Sequence, residues 1–372
     1  MESDRGRPPS VRGALVKFEP NLQRFAPATS GIVLTSAAAL RRSVTDRPEE
    51  PMSHTPAKPP YDPELTASLA AMGDLAYISV TLETLPAARA SRPTQSVDEL
   101  LAGRAVDHVE HTVPGQGGEP DVVLSVFTPR GLAAPVPVVY HAHGGGMIMG
   151  DRFANIGRVL DWVENLGIVA VSVEYRLAPE APYPAAVEDC YAGLLWTVEH
   201  AADLGIDPER VIIGGGSSGG GITAGLALLL RDRGGPKVAG QWLSSPMLDD
   251  RDVTVSSKQY VDGAIWSGRS NDTAWRALLG DDFQTENVSI YAAPARATDL
   301  SNLPPAFIDV GSAEVFRDED VAYASALWAA GVQAELHVWA GAFHGSEMFA
   351  QASVSRAAIE ARTNWLKRTL AL

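Results

Sequence analysis

Val211-Ile212-Ile213-Gly214-Gly215-Gly216-Ser217-Ser218-Gly219-Gly220-Gly221 leads directly into Ile222-Thr223-Ala224-Gly225-Leu226-Ala227-Leu228-Leu229-Leu230. The β-branched run reads as a buried strand, and the apolar run after the glycines reads as a helix. A chain that passes from strand to helix so quickly must bend sharply. Glycines on both sides give the backbone room and let the helix pack close. The bend lifts a serine oxygen clear of the sheet. It also sets that serine at a helix amino end, where the dipole favours developing negative charge. A flexible Gly/Ser linker shares this composition, but it would not be flanked so tightly by a buried strand and an apolar helix. Ser217 and Ser218 both fit a Gly-x-Ser-x-Gly spacing. The length of the preceding strand favours Ser217 as nucleophile.

Outward from this turn the chain repeats strand and helix. Strands are expected at 122–127, 136–142, 168–173, 210–213, 240–243, 306–310 and 335–339. Helices are expected near 153–165, 185–200, 219–232, 318–330 and 353–369. Apolar strands alternating with helices predict an α/β fold with a mostly parallel sheet covered on both faces. Sites in such sheets form at the carboxyl ends of the strands.

His143-Gly144-Gly145-Gly146 follows the strand at 136–142. Acyl transfer creates an oxyanion, and backbone N–H groups can approach it only where side chains are absent. The expected donors are the amides of Gly145, Gly146 and Ser218. His141-Ala142-His143 also forms a His-x-His pair, but no further His/Asp cluster with ligand spacing accompanies it. No metal and no cofactor are therefore expected.

A general base is expected late in the chain, after the last strand, where His344 lies in Gly341-Ala342-Phe343-His344-Gly345. The acid that orients it should follow the strand at 306–310. Glu314 stands at that strand's end and is the first choice. Asp318 opens the next helix, looks like its N-cap, and is the alternative acid.

The 372 residues carry a net charge of −15 and are 45% hydrophobic. Such a surface disfavours nucleic acid and anionic membranes as partners. No apolar run of about 18 residues is present to span a bilayer, and a cytoplasmic location is the default expectation. A single cysteine, Cys190, excludes an intrachain disulfide and reads as a buried core residue. A homodimer stays open.

Residues 1–51 hold eight Lys/Arg and six Asp/Glu, with frequent Pro and Ser and no sustained apolar period. They read as a disordered tail, and Met52 could be a second start. Asp62-Pro63-Glu64-Leu65 looks like a helix start. A further helix is expected near 96–101, with Gly103 as its stop. The chain thus divides into a tail (1–51), N-terminal helices (52–105) and a main domain (106–372).

With these sites placed, the sequence closely resembles the hormone-sensitive-lipase-like family of bacterial esterases over about residues 60–370. The resemblance rests on His143-Gly144-Gly145-Gly146, Tyr175-Arg176-Leu177-Ala178-Pro179-Glu180, Gly215-Gly216-Ser217-Ser218-Gly219-Gly220, Leu303-Pro304-Pro305-Ala306 and Gly341-Ala342-Phe343-His344-Gly345. It implies an α/β-hydrolase core and a cap formed by the N-terminal helices with an excursion near 246–295. It places the nucleophile at Ser217 rather than Ser218. It also implies hydrolysis of short- to medium-chain carboxylic esters, with a small-molecule ester as substrate. Two departures stand out: Gly216 occupies a position where the family often has Asp, and Glu314 one where the acid is usually Asp. Arg176 and Glu180 are expected to be structural, as a buried ion pair or hydrogen-bond hub. Asp249 and Asp250 read as a turn. Trp266, Trp275, Met147, Met149 and Phe343 are candidates for the acyl pocket. The competing functions are hydrolysis of amides, lactones or carbamates on the same fold, long-chain lipase action, and a non-catalytic small-molecule receptor.

Overall fold

In the computed structural model, residues 56–91, 95–133 and 135–372 are described; the tail expected over 1–51 lies outside them. Eight strands form one sheet among these residues: β1 (Val106–Val113), β2 (Val122–Pro129), β3 (Val136–Ala142), β4 (Val169–Glu174), β5 (Ile206–Gly216), β6 (Gly240–Ser244), β7 (Ala306–Gly311) and β8 (Ala334–Trp339). Their order is β1-β2-β4-β3-β5-β6-β7-β8. The β1/β2 and β2/β4 pairs are antiparallel, and all the others are parallel. The helices are α1 (Pro63–Met72), α2 (Leu85–Ala90), α3 (Val97–Leu101), α4 (Gly157–Leu166), α5 (Ala185–Glu199), α6 (Ala201–Leu204), α7 (Ser218–Arg233), α8 (Val255–Gln259), α9 (Gly268–Leu279), α10 (Arg317–Ala329) and α11 (Ser353–Leu370).

The period-2 geometry of the strands sends alternate side chains to opposite faces. Val139, Ile212, Trp242 and Phe307 pack with Val159, Leu160 and Val163 of α4 and with Trp365 and Leu366 of α11. Tyr140, Ile213, Leu243 and Ile308 pack with α5, α7 and α10 through Leu194, Leu226 and Leu327. Cys190 is fully buried in this second layer, and burial pushes its thiol pKa up, which leaves it a packing residue.

Two expectations for the strands change. β5 is far longer than 210–213: it begins at Ile206, and Gly214, Gly215 and Gly216 continue the strand rather than beginning the turn. They pair with Trp242, Leu243 and Ser244 of β6. A Cβ at Gly215 would lie 2.3 Å from the Ala142 carbonyl oxygen, and one at Gly214 2.6 Å from the Trp242 ring. Glycine here serves close strand packing. The second change is β1, an edge strand whose middle is half-exposed and so lacks the apolar run that marked its neighbours.

Asp62 caps α1, its Oδ1 accepting from the amides of Glu64 at 2.8 Å and Leu65 at 3.3 Å. Ser96 and Glu99 form a reciprocal capping box on α3. The segment before the sheet bonds to the stretch between β6 and β7. The Val80 amide donates to Ser270 Oγ at 2.9 Å, the Ile265 amide to the Ala76 carbonyl at 2.7 Å, and Tyr260 Oη to the Pro59 carbonyl at 3.0 Å. α2, α8 and α9 were not legible as helices in the sequence; α8 is five residues long, and α9 mixes Ser, Asn, Asp and Thr into its first turns.

Arg176 and Glu180 do not pair with each other. Arg176 grips the buried Asp189, with Nη2 to Oδ1 at 2.7 Å, and reaches Glu119 at 2.9 Å. Glu180 is largely exposed and pairs with Arg89 at 2.7 Å. The turn at 249–250 is held by its own pairs, Asp249 with Arg251 and the fully buried Asp250 with Arg296.

Candidate active site

Ser217 stands between the end of β5 and the start of α7 with φ 58° and ψ −126°. Such a conformation costs a non-glycine residue about 1–3 kcal/mol and persists only where its surroundings enforce it. The Ser217 amide donates to the Ser244 carbonyl at 2.8 Å. Its own carbonyl accepts from the Met247 amide at 3.0 Å and the Gly221 amide at 3.1 Å. On the α7 side, a Cβ at Gly219 would lie 2.1 Å from the Ala142 carbonyl oxygen, so only glycine lets the helix approach.

His344 follows β8 on a buried loop. Its Nε2 lies 3.0 Å from Ser217 Oγ, and its Nδ1 lies 2.6 Å from Glu314 Oε2. With the Nδ1 proton donated to the carboxylate, Nε2 is left to accept from the serine hydroxyl. Phe316 meets the imidazole edge-on with centroids 5.1 Å apart, which limits how far the ring can swing. Glu314 is 2% exposed. Its other oxygen, Oε1, accepts from the Gly311 amide at 2.9 Å and the Ser245 hydroxyl at 2.7 Å. The arrangement can carry a proton from serine to imidazole and hold the resulting cation against a carboxylate.

Asp318 stands elsewhere. It lies inside the first turn of α10, whose N-cap is Phe316, so the N-cap expected for Asp318 is corrected. Its carboxylate accepts from the Ser256 amide at 2.7 Å and from Arg317 Nε at 2.7 Å. Its place on α10, past the turn that carries Glu314, aims it at Ser256 rather than at His344.

The His143–Gly146 turn lies against the serine. A Cβ at Gly144 would sit 3.0 Å from the Gly216 carbonyl oxygen and 3.4 Å from Ser217 Cβ. Gly145 and Gly146 have φ of 129° and 67°. A Cβ at Gly145 would meet the Met149 carbonyl oxygen at 2.1 Å. Among the described residues, the amides of Gly145 and Gly146, which lie outside the helices and strands, donate no backbone hydrogen bond. His143 stacks on Tyr175 at 4.0 Å and 10°. Burial pushes its pKa down to about 4, so its neutral ring donates from Nδ1 to the Gly144 carbonyl at 2.9 Å. His141 bonds Ser172 at 3.1 Å, and burial pushes it down to about 3. Among the described residues no group of three or more His, Cys, Asp or Glu converges as a metal set.

Trp266 spans the His143–Gly146 turn and the imidazole. A Cβ at Gly146 would lie 2.4 Å from its ring, and its centroid is 6.4 Å from that of His344. Met147 lines a small cavity with Tyr183, Ile222 and Leu278. Met149 packs beneath Gly145. Phe343 packs edge-on against Tyr61 at 5.6 Å, and Trp275 is fully buried. The last two read as core.

Sequence reasoning missed Ser245 and Asp320. Ser-Ser-Pro after a strand carries no signal of its own. Asp320 is fully buried on α10, and neither carboxyl oxygen has a partner. Burial, with Glu319, Glu314 and Asp309 nearby, raises its pKa well above the ordinary range. A raised carboxyl pKa contributes stability at low pH that is lost as pH rises through the folded value. Asp320→Asn removes that ionisation. It should raise Tm by roughly 2–4 °C at pH 8 and by less at pH 4, as read by thermal melts. An equal shift at both pH values would contradict a titrating Asp320.

A family model described as the alpha/beta hydrolase fold matches residues 139–348. Carboxylesterase NlhH of Mycobacterium tuberculosis is 35% identical over 308 residues, covering 80% of this chain and 92% of that protein. Esterase LipI of the same organism is 37% identical over 214 residues, 57% of this chain and 66% of that protein. Among solved structures, a bacterial heroin esterase superposes with a TM-score of 0.77 at 40% identity, covering 83% of this chain and 98% of that one. Esterase LipW of Mycobacterium marinum does so with a TM-score of 0.74 at 31% identity, covering 84% and 98%. On fold, motifs and these likenesses together, the chain belongs to the α/β-hydrolase family, within its hormone-sensitive-lipase-like branch of bacterial esterases.

Proposed function

We propose that this protein is a carboxylesterase that hydrolyses short- to medium-chain acyl esters through Ser217, His344 and Glu314. The observation that carries the reading is the unbroken hydrogen-bond run from Ser217 through His344 to Glu314, at 3.0 and 2.6 Å. His344 takes the serine proton as Ser217 attacks the ester carbonyl. The amides of Gly145, Gly146 and Ser218 receive the oxyanion, each donor typically worth about 2.7–4 kcal/mol of barrier. The imidazolium then protonates the leaving alcohol, and water repeats the sequence to free the acid. No cofactor enters this cycle.

The similar proteins named as esterases support the reaction class. An ethyl acetate hydrolase of Pseudomonas putida, 26% identical over 290 residues, supports a small acyl group, as does the Trp266 ring crowding the turn at Gly146. In this reading the N-terminal helices and the 246–295 excursion act as a cap over the site, held together by the bonds from Val80, Ala76 and Pro59 into that excursion. Among the described residues no helix is long and apolar enough to cross a membrane.

A panel of p-nitrophenyl acetate, butyrate, octanoate and palmitate, with p-nitroanilide analogues beside it, tests the proposal. The expected result is the highest kcat/KM on acetate to octanoate, with little turnover of palmitate or the anilides. Faster anilide hydrolysis would make the protein an amidase, and no turnover of any ester would favour a receptor.

A further inference from the structure

The segment Ser244-Ser245-Pro246-Met247 touches both ends of the serine–imidazole–carboxylate run. The Ser244 carbonyl and the Met247 amide bond the two sides of Ser217 at 2.8 and 3.0 Å. Between them, the Ser245 hydroxyl donates to Glu314 Oε1 at 2.7 Å. Ser245 itself is held in the left-handed region, φ 42°, by its amide bond to the Asp309 carbonyl at 2.6 Å. The same corner is tied to α11: the buried Arg362 reaches Ser244 Oγ at 2.6 Å and Asp309 Oδ2 at 2.8 Å. We infer that Ser245 is a positioning residue that fixes the Glu314 carboxylate for His344, within a brace that joins the nucleophile to its acid. The inference rests on the reading of Ser217, His344 and Glu314 as acting together.

The physical need for the brace lies in the side chain of Glu314. Glutamate has one more rotatable bond than aspartate, and its last torsion is broad and poorly self-restrained. A carboxylate that must keep one oxygen on an imidazole therefore needs its other oxygen held from outside. Two donors do this from two adjacent strand ends, the Gly311 amide at the end of β7 and the Ser245 hydroxyl just past β6. Both fall on Oε1, which leaves Oε2 directed at His344 Nδ1. Removing the hydroxyl leaves a single donor, so the carboxylate can turn away from the ring. Supporting hydrogen bonds of this kind hold reacting groups within the narrow range that catalysis tolerates. The loss should appear in the chemical step and not in substrate binding, because Ser245 acts on Glu314 and not on the ester.

The test uses the full chain with Ser245→Ala and Ser245→Gly, each alone and combined with Glu314→Ala. Values of kcat and KM are measured on p-nitrophenyl butyrate and normalised to folded protein by circular dichroism melting. Glycine relieves the positive φ that alanine keeps, so agreement between the two variants isolates the hydroxyl from backbone strain. In both, kcat is expected to fall about 10- to 100-fold with KM nearly unchanged, the range for a hydrogen bond to a charged group. In the Glu314→Ala background the same substitutions are expected to cost little more. Unchanged kcat in the single variants, or an equal fall in both backgrounds, overturns the inference. Ser217→Ala and Glu314→Ala run alongside separate the two failures. If they are inactive while Ser245→Ala is fully active, only the brace fails; if they are active, the reading beneath it fails.

Discussion

Ser217→Ala is expected to lower kcat on p-nitrophenyl butyrate by about 10⁶-fold, the scale seen when a serine nucleophile is removed from such a relay. The fold should survive. The Ser217 backbone is held by bonds from Ser244, Met247 and Gly221 that use its main chain alone, and alanine tolerates φ 58° about as well as serine does. Labelling by a fluorophosphonate probe should disappear with the activity. The neighbouring Ser218 offers no substitute. It is fully buried, and the hydrogen bond that His344 Nε2 makes goes to Ser217 Oγ. A Ser217→Ala protein that kept its full rate would reopen Ser218 as nucleophile and dismantle the proposed cycle.

The second large effect separates two acids only four residues apart. Glu314→Ala is expected to lower kcat by about 10⁴-fold, because the imidazole loses the partner that holds its tautomer and offsets its charge. Asp318→Ala is expected to keep a rate near that of the unmodified protein and to lose some stability. Its bond to the Ser256 amide ties α10 to α8. Side-by-side kinetics and melts check both. The reverse result, with Asp318 the costly position, would mean that the loop after β7 rearranges when substrate binds.

Much of the site was legible because its demands are local. A strand-to-helix bend needs glycines around Ser217, and an oxyanion turn needs them after His143. His344 was legible by its place after the last strand. The parallel sheet followed from apolar runs at regular spacing. The helices between β6 and β7 were not legible. α9 begins with Gly-Arg-Ser-Asn-Asp-Thr, where all but Arg are poor helix formers, and its capping bond from the Ser270 amide to Ser267 Oγ is visible only once the backbone has turned. Arg176 and Glu180 were read as one unit because they lie in one motif. Their partners, Asp189, Glu119 and Arg89, come from three other segments, and no spacing rule connects them.

The amino-acid sequence by itself determined the alternation of the apolar strands with the long helices that cover them, the glycine turns and the residue types of the proposed relay, since each depends on backbone sterics or periodicity within a few residues. Tertiary structure alone decided which acid faces the base. Glu314 lies in the turn after β7 and Asp318 in the first turn of α10, and that difference in backbone sends one side chain to His344 and the other to Ser256. It alone also brought Ser245 to Glu314 from 69 residues away, because β6 and β7 lie side by side in the sheet and end at the same edge.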